Sequence, residues 1–228
     1  MCTKIEEGLQ KTCASLPRCP YRSRVISSAA PLGLGSASPR RKELLERLGI
    51  PLFVIVADVD ENRKEGESPA KYLERITRDK LDRVAADERA SVASVILTAD
   101  TIVLLDDEIL GKPRDANHAQ AMLSRLAGRA HEVRTRFALG WRDGRGSLAV
   151  IHAETVSTRV QFRALDEEEI KRYVASGEGA DKAGGYAIQG IGSFAVSRIE
   201  GSYSNVVGLP VCEVVLALQH HGFLGAFP

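Results

Sequence analysis

The sequence predicts an α/β protein with a mixed β-sheet, and two observations support this prediction. In the first half of the chain, helical patterns alternate with apolar strand patterns, which is typical of parallel strands joined by helices. In the second half, β-branched and polar residues alternate on both sides of an Asp-Gly-Arg-Gly turn at 143–146, which indicates an antiparallel hairpin. A sheet that contains both kinds of connection is mixed.

The size and charge of the chain favour one soluble domain, or two closely joined lobes. The chain has 228 residues, a hydrophobic fraction of 44% and a net charge of +1, so no global field attracts it to nucleic acid or acidic lipid. The longest apolar stretch, "SVILTADTIVLL", contains Asp100 and is too short to span a membrane. The four cysteines show no zinc-like spacing, and we interpret them as reduced thiols of a cytoplasmic protein.

The first 30 residues are predicted to be a poorly ordered extension. They contain Glu6 and Glu7 and lack the hydrophobic segment of a secretory signal peptide, although an organellar signal stays open. The folded domain is therefore predicted to cover 31–228.

The first elements can be placed from their starts and stops. A short strand, Leu32–Gly35, precedes a helix that is capped by Ser38 and has Pro39 at its first position. The next strand is predicted over 51–61, and a second Ser-Pro pair, at Ser68, begins the following helix.

The later elements continue this alternation. Residues 91–110 are predicted to be strand, with a turn at Asp106–Asp107, before a helix capped by Asp115. After the hairpin, a capping box at Asp166 indicates another helix, and a helix that begins near Pro210 ends the chain.

The start of the first helix is a candidate anion site. Free backbone N–H groups and the positive end of the helix dipole attract anions. The guanidinium groups of Arg40 and Arg41, with the hydroxyl groups of Ser36 and Ser38, would complete a cradle for phosphate. The alternative is a capped surface helix with solvated arginines.

Two other phosphate-binding motifs are not supported. The run "GLGSAS" is a partial dinucleotide fingerprint, but Ser38 stands where the third glycine is needed. The chain also lacks the Gly-x-x-x-x-Gly-Lys-Ser/Thr pattern of P-loop enzymes.

Two carboxylates form the second candidate functional site. Asp100 lies within an apolar strand, where a charged group must be paired, bind a metal or reach a strand end. It is a candidate general base or metal ligand, and Glu61 is a candidate partner around magnesium or manganese. Lys112, between Gly111 and Pro113, is either a phosphate ligand nearby or a solvated turn residue.

The segment "DKAGGYAIQG", at 181–190, is the third candidate functional site, a ligand-binding loop. Its glycines permit close approach of the backbone to a ligand, Lys182 offers a charge, and Gln189 offers an amide for a base edge or a phosphate. The five histidines are expected to be structural or exposed.

Five ordered segments closely resemble the Maf family of nucleoside triphosphate pyrophosphatases. The segments are "SASPRRKELL", "VDENR", "ADTIV", "GKPRDANHAQAMLSRLAGRAHEVRT" and "DKAGGYAIQGIGSFAVSRIEGSYSNVVGLP". The resemblance covers about 32–218 and implies an elongated mixed sheet flanked by helices, with two lobes and a cleft between them, as in the inosine triphosphate pyrophosphatases. It implies a cytoplasmic homodimer that cleaves a triphosphate between the α and β phosphates with a divalent cation, Mg²⁺ or Mn²⁺. No nucleic-acid or membrane partner is expected.

The resemblance also implies roles for individual residues. Asp100 matches the catalytic carboxylate, and the expected metal ligands are Glu61, Asp100 and Asp181. The expected substrate-binding residues are Ser36, Ser38, Arg40, Arg41, Lys80, Thr101, Lys112, Lys182 and Gln189.

The choice of base follows from three of these positions. Arg40, Thr101 and Gln189 resemble the branch that prefers dTTP and UTP, with modified pyrimidine triphosphates as further candidates. The alternatives are a pyrophosphatase for 7-methyl-GTP or another modified purine triphosphate, and a non-catalytic nucleic-acid-binding or division-associated protein. Gly35 stands where alanine is common in the family, a difference that we expect to be harmless.

Overall fold

The computed structural model describes residues 25–142 and 147–227, and these form a seven-stranded mixed sheet with helices against it. The strand order is β2-β1-β3-β5-β6-β7, and β4 pairs with β3 outside this path. The strand β1 is parallel to β2 and β3, whereas the other pairs are antiparallel. The predicted fold class is therefore confirmed. The strands are β1 (Leu32–Gly35), β2 (Leu52–Val54), β3 (Val95–Leu105), β4 (Glu108–Leu110), β5 (Ala130–Arg142), β6 (Leu148–Phe162) and β7 (Val196–Glu200).

The helices begin where the caps predict. The side chains of Ser38, Ser68, Asp115 and Asp166 each accept a hydrogen bond from a backbone N–H of the first turn. Across the described ranges, no helix is both long and apolar enough to cross a bilayer. The helices are α1 (Pro39–Glu46), α2 (Pro69–Ala85), α3 (Ala116–Leu126), α4 (Glu167–Ala175), α5 (Tyr203–Val207) and α6 (Val211–His220), with short 3-10 helices at Glu88–Val92, Ala183–Gly185 and Ile191–Ala195.

Two strand predictions are corrected. The strand predicted over 51–61 ends at Val54, because β1, its hydrogen-bonding partner, ends at Gly35. The residues that follow form a loop, and this loop carries Glu61. The strand predicted from 91 begins at Val95, since the preceding residues form a 3-10 helix.

Part of the chain lies outside the described residues. The turn predicted at 143–146 lies there, as does the predicted extension up to residue 24. The backbone N–H of Ile26 donates to the carbonyl of Phe223 at 2.9 Å, and Ile26 belongs to the apolar core. The domain boundary at residue 31 stays a prediction.

The edge of β3 has a gap that decides where the cleft forms. On one side β3 pairs continuously with β5. On the other side it pairs with β1 up to Thr98 and with β4 only from Val103 onward. Within the described part of the chain, the intervening stretch, which contains Asp100, therefore has no neighbouring strand on that side.

Separate apolar clusters support the sheet on the two sides of this gap. One contains Leu34, Phe137 and Leu218, from β1, β5 and α6. Another contains Leu126 and Phe162, from α3 and β6. The gap thus lies between two separately packed parts of the molecule.

Gly35 is packed more tightly than the sequence suggests. A Cβ atom there would lie 2.6 Å from Cγ2 of Thr98 and 2.8 Å from Cγ2 of Val84. An alanine at this position would therefore force its neighbours apart, because both are short, branched side chains.

We predict that Gly35→Ala lowers the free energy of unfolding by about 1–3 kcal/mol, because overpacking forces the neighbours apart. Urea denaturation measures this change. Gly111→Ala is the control, since a Cβ there meets nothing within 4 Å, and its effect should stay within about 0.5 kcal/mol. Equal stability of Gly35→Ala and wild type would contradict the predicted overpacking.

His131 is a structural histidine, as expected. It is buried beside Phe162 and Tyr186, and its Nε2 lies 2.7 Å from the hydroxyl of Tyr186. Burial lowers the pKa of His131 to about 4. The folded protein therefore keeps this imidazole neutral at pH values where the unfolded chain would protonate it.

This pKa predicts a loss of stability in acid. Between about pH 6.5 and pH 4 the unfolded chain binds a proton at His131 and the folded protein does not, so stability falls as the pH drops. From pH 6.5 to 4.5, we predict that wild type loses about 2–3 kcal/mol more than His131→Gln, which cannot titrate. Urea unfolding at several pH values measures the difference. Parallel pH profiles for the two proteins would contradict the prediction.

Candidate active site

A cleft of about 860 Å³ opens at the gap in β3. All twelve side chains that the sequence singles out line it, although they come from six separate parts of the chain. These are the start of α1, the loop after β2, α2, β3, the turn after β4 and the segment at 181–189. The sheet topology thus brings the sequence candidates into one place.

The guanidinium of Arg41 fills the gap in the strand edge. Its Nη1 donates to the carbonyl of Ala99 at 2.8 Å and to Oγ of Ser36 at 3.1 Å. Its Nε donates to the carbonyl of Gly208 at 2.7 Å, and its Nη2 donates to Oγ1 of Thr101 at 3.0 Å. Through these four hydrogen bonds Arg41 joins three segments of the chain. Because the residue is only 8% exposed, few of its N–H groups remain for a ligand.

Thr101 belongs to the same buried network. Its Oγ1 also lies 2.9 Å from Oγ1 of Thr135, which in turn contacts the carbonyl of Asn205 at 3.2 Å. The Asn205 amide donates to the carbonyl of Val133 and to Thr158. Thr101 therefore connects the cleft to α5 through Thr135 and Asn205, whose roles the sequence did not reveal.

Lys80 brings two carboxylates together. Its Nζ lies 2.7 Å from Oδ1 of Asp100 and 2.6 Å from Oε1 of Glu61. Both Lys80 and Asp100 are buried, at 7% and 9% exposure, whereas the side chain of Glu61 is 45% exposed. The buried charge of Asp100 is thus compensated by a buried ammonium group.

The electrostatic surroundings keep Glu61 ionised. Burial by itself would raise the pKa of Glu61, but the hydrogen bond from Lys80 and the positive charges of Lys80, Lys112 and Arg41 together lower it below its usual value. The neighbouring hydroxyl of Tyr72 donates to the backbone carbonyl of Glu61 at 3.1 Å. Burial, with the charges of Asp100 and Glu61, raises the pKa of Tyr72, so this hydroxyl keeps its proton.

An ion pair between Arg75 of α2 and Glu67, which precedes this helix, holds the loop that carries Glu61. Arg75 donates to both carboxylate oxygens of Glu67, at 2.6 and 2.8 Å, and to the carbonyl of Asn62 at 3.0 Å. Both partners of this pair are largely buried. The helical pattern of α2 places Tyr72 and Arg75 beside its apolar face, but nothing in the sequence indicates that they hold this loop.

The remaining cations differ in whether they are paired. Lys182 forms an ion pair with Asp181, and that hydrogen bond lowers the pKa of Asp181. Among the residues that the structure describes, Arg40 and Lys112 have no ion-pair or hydrogen-bond partner for their side chains. These two positive charges face the cleft and are available to an anionic ligand.

The donor set fits a divalent cation with only two protein ligands. Within the described ranges, no three His, Cys, Asp or Glu side chains are placed to hold a metal, and the carboxylate of Asp181 is engaged by Lys182. Glu61 and Asp100, however, already converge on one cationic group, the ammonium of Lys80. Mg²⁺ commonly uses one or two carboxylates and completes its shell with water and substrate phosphates.

Comparison with known proteins agrees with this geometry. The family described as "Maf-like protein" matches residues 31–221. The chain belongs to the Maf-like protein family. The resemblance seen in the five sequence segments is therefore confirmed, and it extends over most of the chain.

Relatives of this Maf-like protein carry a more specific name. A dTTP/UTP pyrophosphatase from Geobacter sp. (strain M21) is 50% identical over 192 residues, which cover 84% of this chain and 96% of that protein. A dTTP/UTP pyrophosphatase from Myxococcus xanthus is 50% identical over 84% of this chain and 92% of its own length. One from Hahella chejuensis is 45% identical over 89% of this chain and 94% of its own length.

The geometry predicts that the two adjacent arginines of the Maf-like protein respond differently to substitution. Arg41→Lys should lower the free energy of unfolding by about 3 kcal/mol, because a lysine cannot reproduce the planar set of hydrogen bonds and leaves buried acceptors unpaired. Arg40→Lys should change it by less than about 0.5 kcal/mol. Chemical denaturation of both variants compares them. A similar loss in both, or in neither, would show that Arg41 does not have the structural role described.

Proposed function

We propose that this Maf-like protein hydrolyses dTTP and UTP, and modified pyrimidine triphosphates, between the α and β phosphates. The observation that carries the proposal is the buried Lys80–Asp100 pair in a cleft that also presents the unpaired cations Arg40 and Lys112. The relatives named above, at 45–50% identity, are dTTP/UTP pyrophosphatases. Their names support the choice of substrate, and the cleft supports the chemistry.

The start of α1 would bind the phosphates. The Ser38 side chain caps the helix and Ser36 accepts hydrogen bonds from Arg41 and from the Ser38 backbone, so both hydroxyl protons can still be donated to a phosphate oxygen. The positive helix end, with Arg40 and Lys112, would neutralise a triphosphate that carries several negative charges. Arg41 contributes to binding by holding this helix start in place.

Asp100 would act as the general base. Its Oδ1 is engaged by Lys80, whereas Oδ2 has no partner among the described residues. In the proposed reaction Asp100 accepts a proton from a water molecule, whose oxygen forms a bond to the α phosphorus. The bond to the bridging oxygen breaks, and pyrophosphate leaves with its electron pair.

The divalent cation, Mg²⁺ or Mn²⁺, would be held by Glu61 and Asp100. When bound, it supplies positive charge that stabilises the triphosphate and its leaving group. We do not assign Asp181 as a cation ligand, because it pairs with Lys182 and no three His, Cys, Asp or Glu side chains are placed together among the described residues. On the family resemblance alone, we also propose a cytoplasmic homodimer.

The central prediction concerns Asp100. With Mg²⁺, wild type should release pyrophosphate from dTTP and UTP, and Asp100→Asn should lower kcat by a factor of about 10² to 10⁴, because the base is lost. Pyrophosphate release and circular dichroism measure activity and folding. Asp106→Asn is a matched control, since Asp106 lies in an exposed turn with φ +51, a conformation that asparagine tolerates.

Three outcomes would contradict the proposal. Full activity of Asp100→Asn would remove the assigned base. A panel in which 7-methyl-GTP is preferred to dTTP and UTP would change the base specificity. Tight, salt-dependent DNA binding without hydrolysis of any triphosphate would replace the enzyme with a binding protein.

A further inference from the structure

The segment around Gln189 is held by a pair of side chains outside the cleft lining. Tyr173, on α4, donates its hydroxyl proton to Oε2 of Glu178 at 3.0 Å. The same hydroxyl accepts the backbone N–H of Ala187 at 3.1 Å. Glu178 accepts two more backbone N–H groups, from Ile191 at 2.8 Å and from Gly192 at 2.7 Å.

These contacts bracket Gln189 in the chain. Ala187 lies two residues before it, and Ile191 lies two residues after it. The Gln189 side chain lines the cleft and has no hydrogen-bond partner among the described residues, so its position depends on the backbone. The backbone is set by Tyr173 and Glu178.

Tyr173 and Glu178 together form a clamp on the segment 187–192. Two glycines show how closely this clamp fits the backbone. Gly190 has φ +85, and a Cβ there would collide with the carboxylate of Glu178. A Cβ at Gly192 would collide with the carbonyl of Ala187 and lie 2.8 Å from the hydroxyl of Tyr173. The glycines are therefore required for the carboxylate and the hydroxyl to reach the backbone.

The charges of the clamp suit these hydrogen bonds. Burial would raise the pKa of Glu178, but the N–H groups of Gly192 and Ile191 and the Tyr173 hydroxyl lower it on balance, which keeps the carboxylate ionised. Burial raises the pKa of Tyr173, which keeps its hydroxyl proton available for donation. Hydrogen bonds to an ionised acceptor are the stronger kind.

We propose that Tyr173 and Glu178 are positioning residues that set the base selectivity of the cleft by fixing Gln189. This inference rests on the proposed function and on the sequence-based expectation that the amide of Gln189 contacts the base. Neither residue lines the cleft, so they act through the loop and not by touching the substrate.

Glu178→Gln and Tyr173→Phe test the clamp with minimal change of shape. The first replaces an acceptor with an N–H₂ group that faces backbone donors, and the second removes the shared hydroxyl. We expect the ratio of kcat/KM for dTTP to kcat/KM for GTP to fall on the order of tenfold in each variant, mainly through KM for dTTP. In Glu178→Gln, hydrogen exchange at the amides of Ile191 and Gly192 should accelerate.

The control is Glu169→Gln. Glu169 also accepts a backbone N–H and pairs with an arginine, but it does so at the start of α4, away from 187–192. It should lose stability and keep the wild-type selectivity ratio. This separates a change in selectivity from a general loss of stability.

The outcomes distinguish this inference from the proposed function. Faster exchange with an unchanged selectivity ratio would overturn the selectivity role, and unchanged exchange would overturn the clamp itself. If Glu178→Gln does not fold, Tyr173→Phe decides the ratio. If wild type binds dTTP without hydrolysing it, the proposed function fails, and the ratio of dissociation constants for dTTP and GTP tests the clamp. A wild type that binds neither nucleotide overturns both.

Discussion

The guanidinium of Arg41, inserted into the open edge of β3, is the interaction on which the site depends. It joins the strand that carries Asp100 to the start of α1 and to the carbonyl of Gly208. Burying this charge is costly, and four hydrogen bonds to carbonyl and hydroxyl oxygens offset that cost. The residue occupies the place that a neighbouring strand would otherwise take.

The cations of the cleft are divided between structure and ligand binding. Arg41, Lys80 and Lys182 have partners in the protein. Arg41 holds the strand, Lys80 holds two carboxylates, and Lys182 pairs with its neighbour Asp181. Arg40 and Lys112 face the cleft without such partners among the described residues. The paired charges are held in place before a ligand arrives and need little reorganisation when it binds, which favours catalysis on a triphosphate.

Much of the fold could be predicted because its signals are local. The caps at Ser38, Ser68, Asp115 and Asp166 are short-range hydrogen bonds, and each of them begins a helix as expected. The strand predicted over 51–61 was too long because strand length depends on a partner, and β1 ends first. Two other interactions, the clamp formed by Tyr173 and Glu178 and the Arg75–Glu67 ion pair, join separate segments of the chain. No local pattern reveals that these segments lie close together.

The sequence by itself determined the class of the fold, the family and the side chains that line the cleft, because periodicity, caps and ordered motifs are properties of neighbouring residues. Only the tertiary structure decided what each side chain does there. Arg40 and Arg41 are consecutive residues of the same type, yet Arg40 faces the cleft and Arg41 is buried in the gap at the edge of β3. Burial and pairing depend on segments distant in the chain, and these properties separate a ligand-binding charge from a structural one.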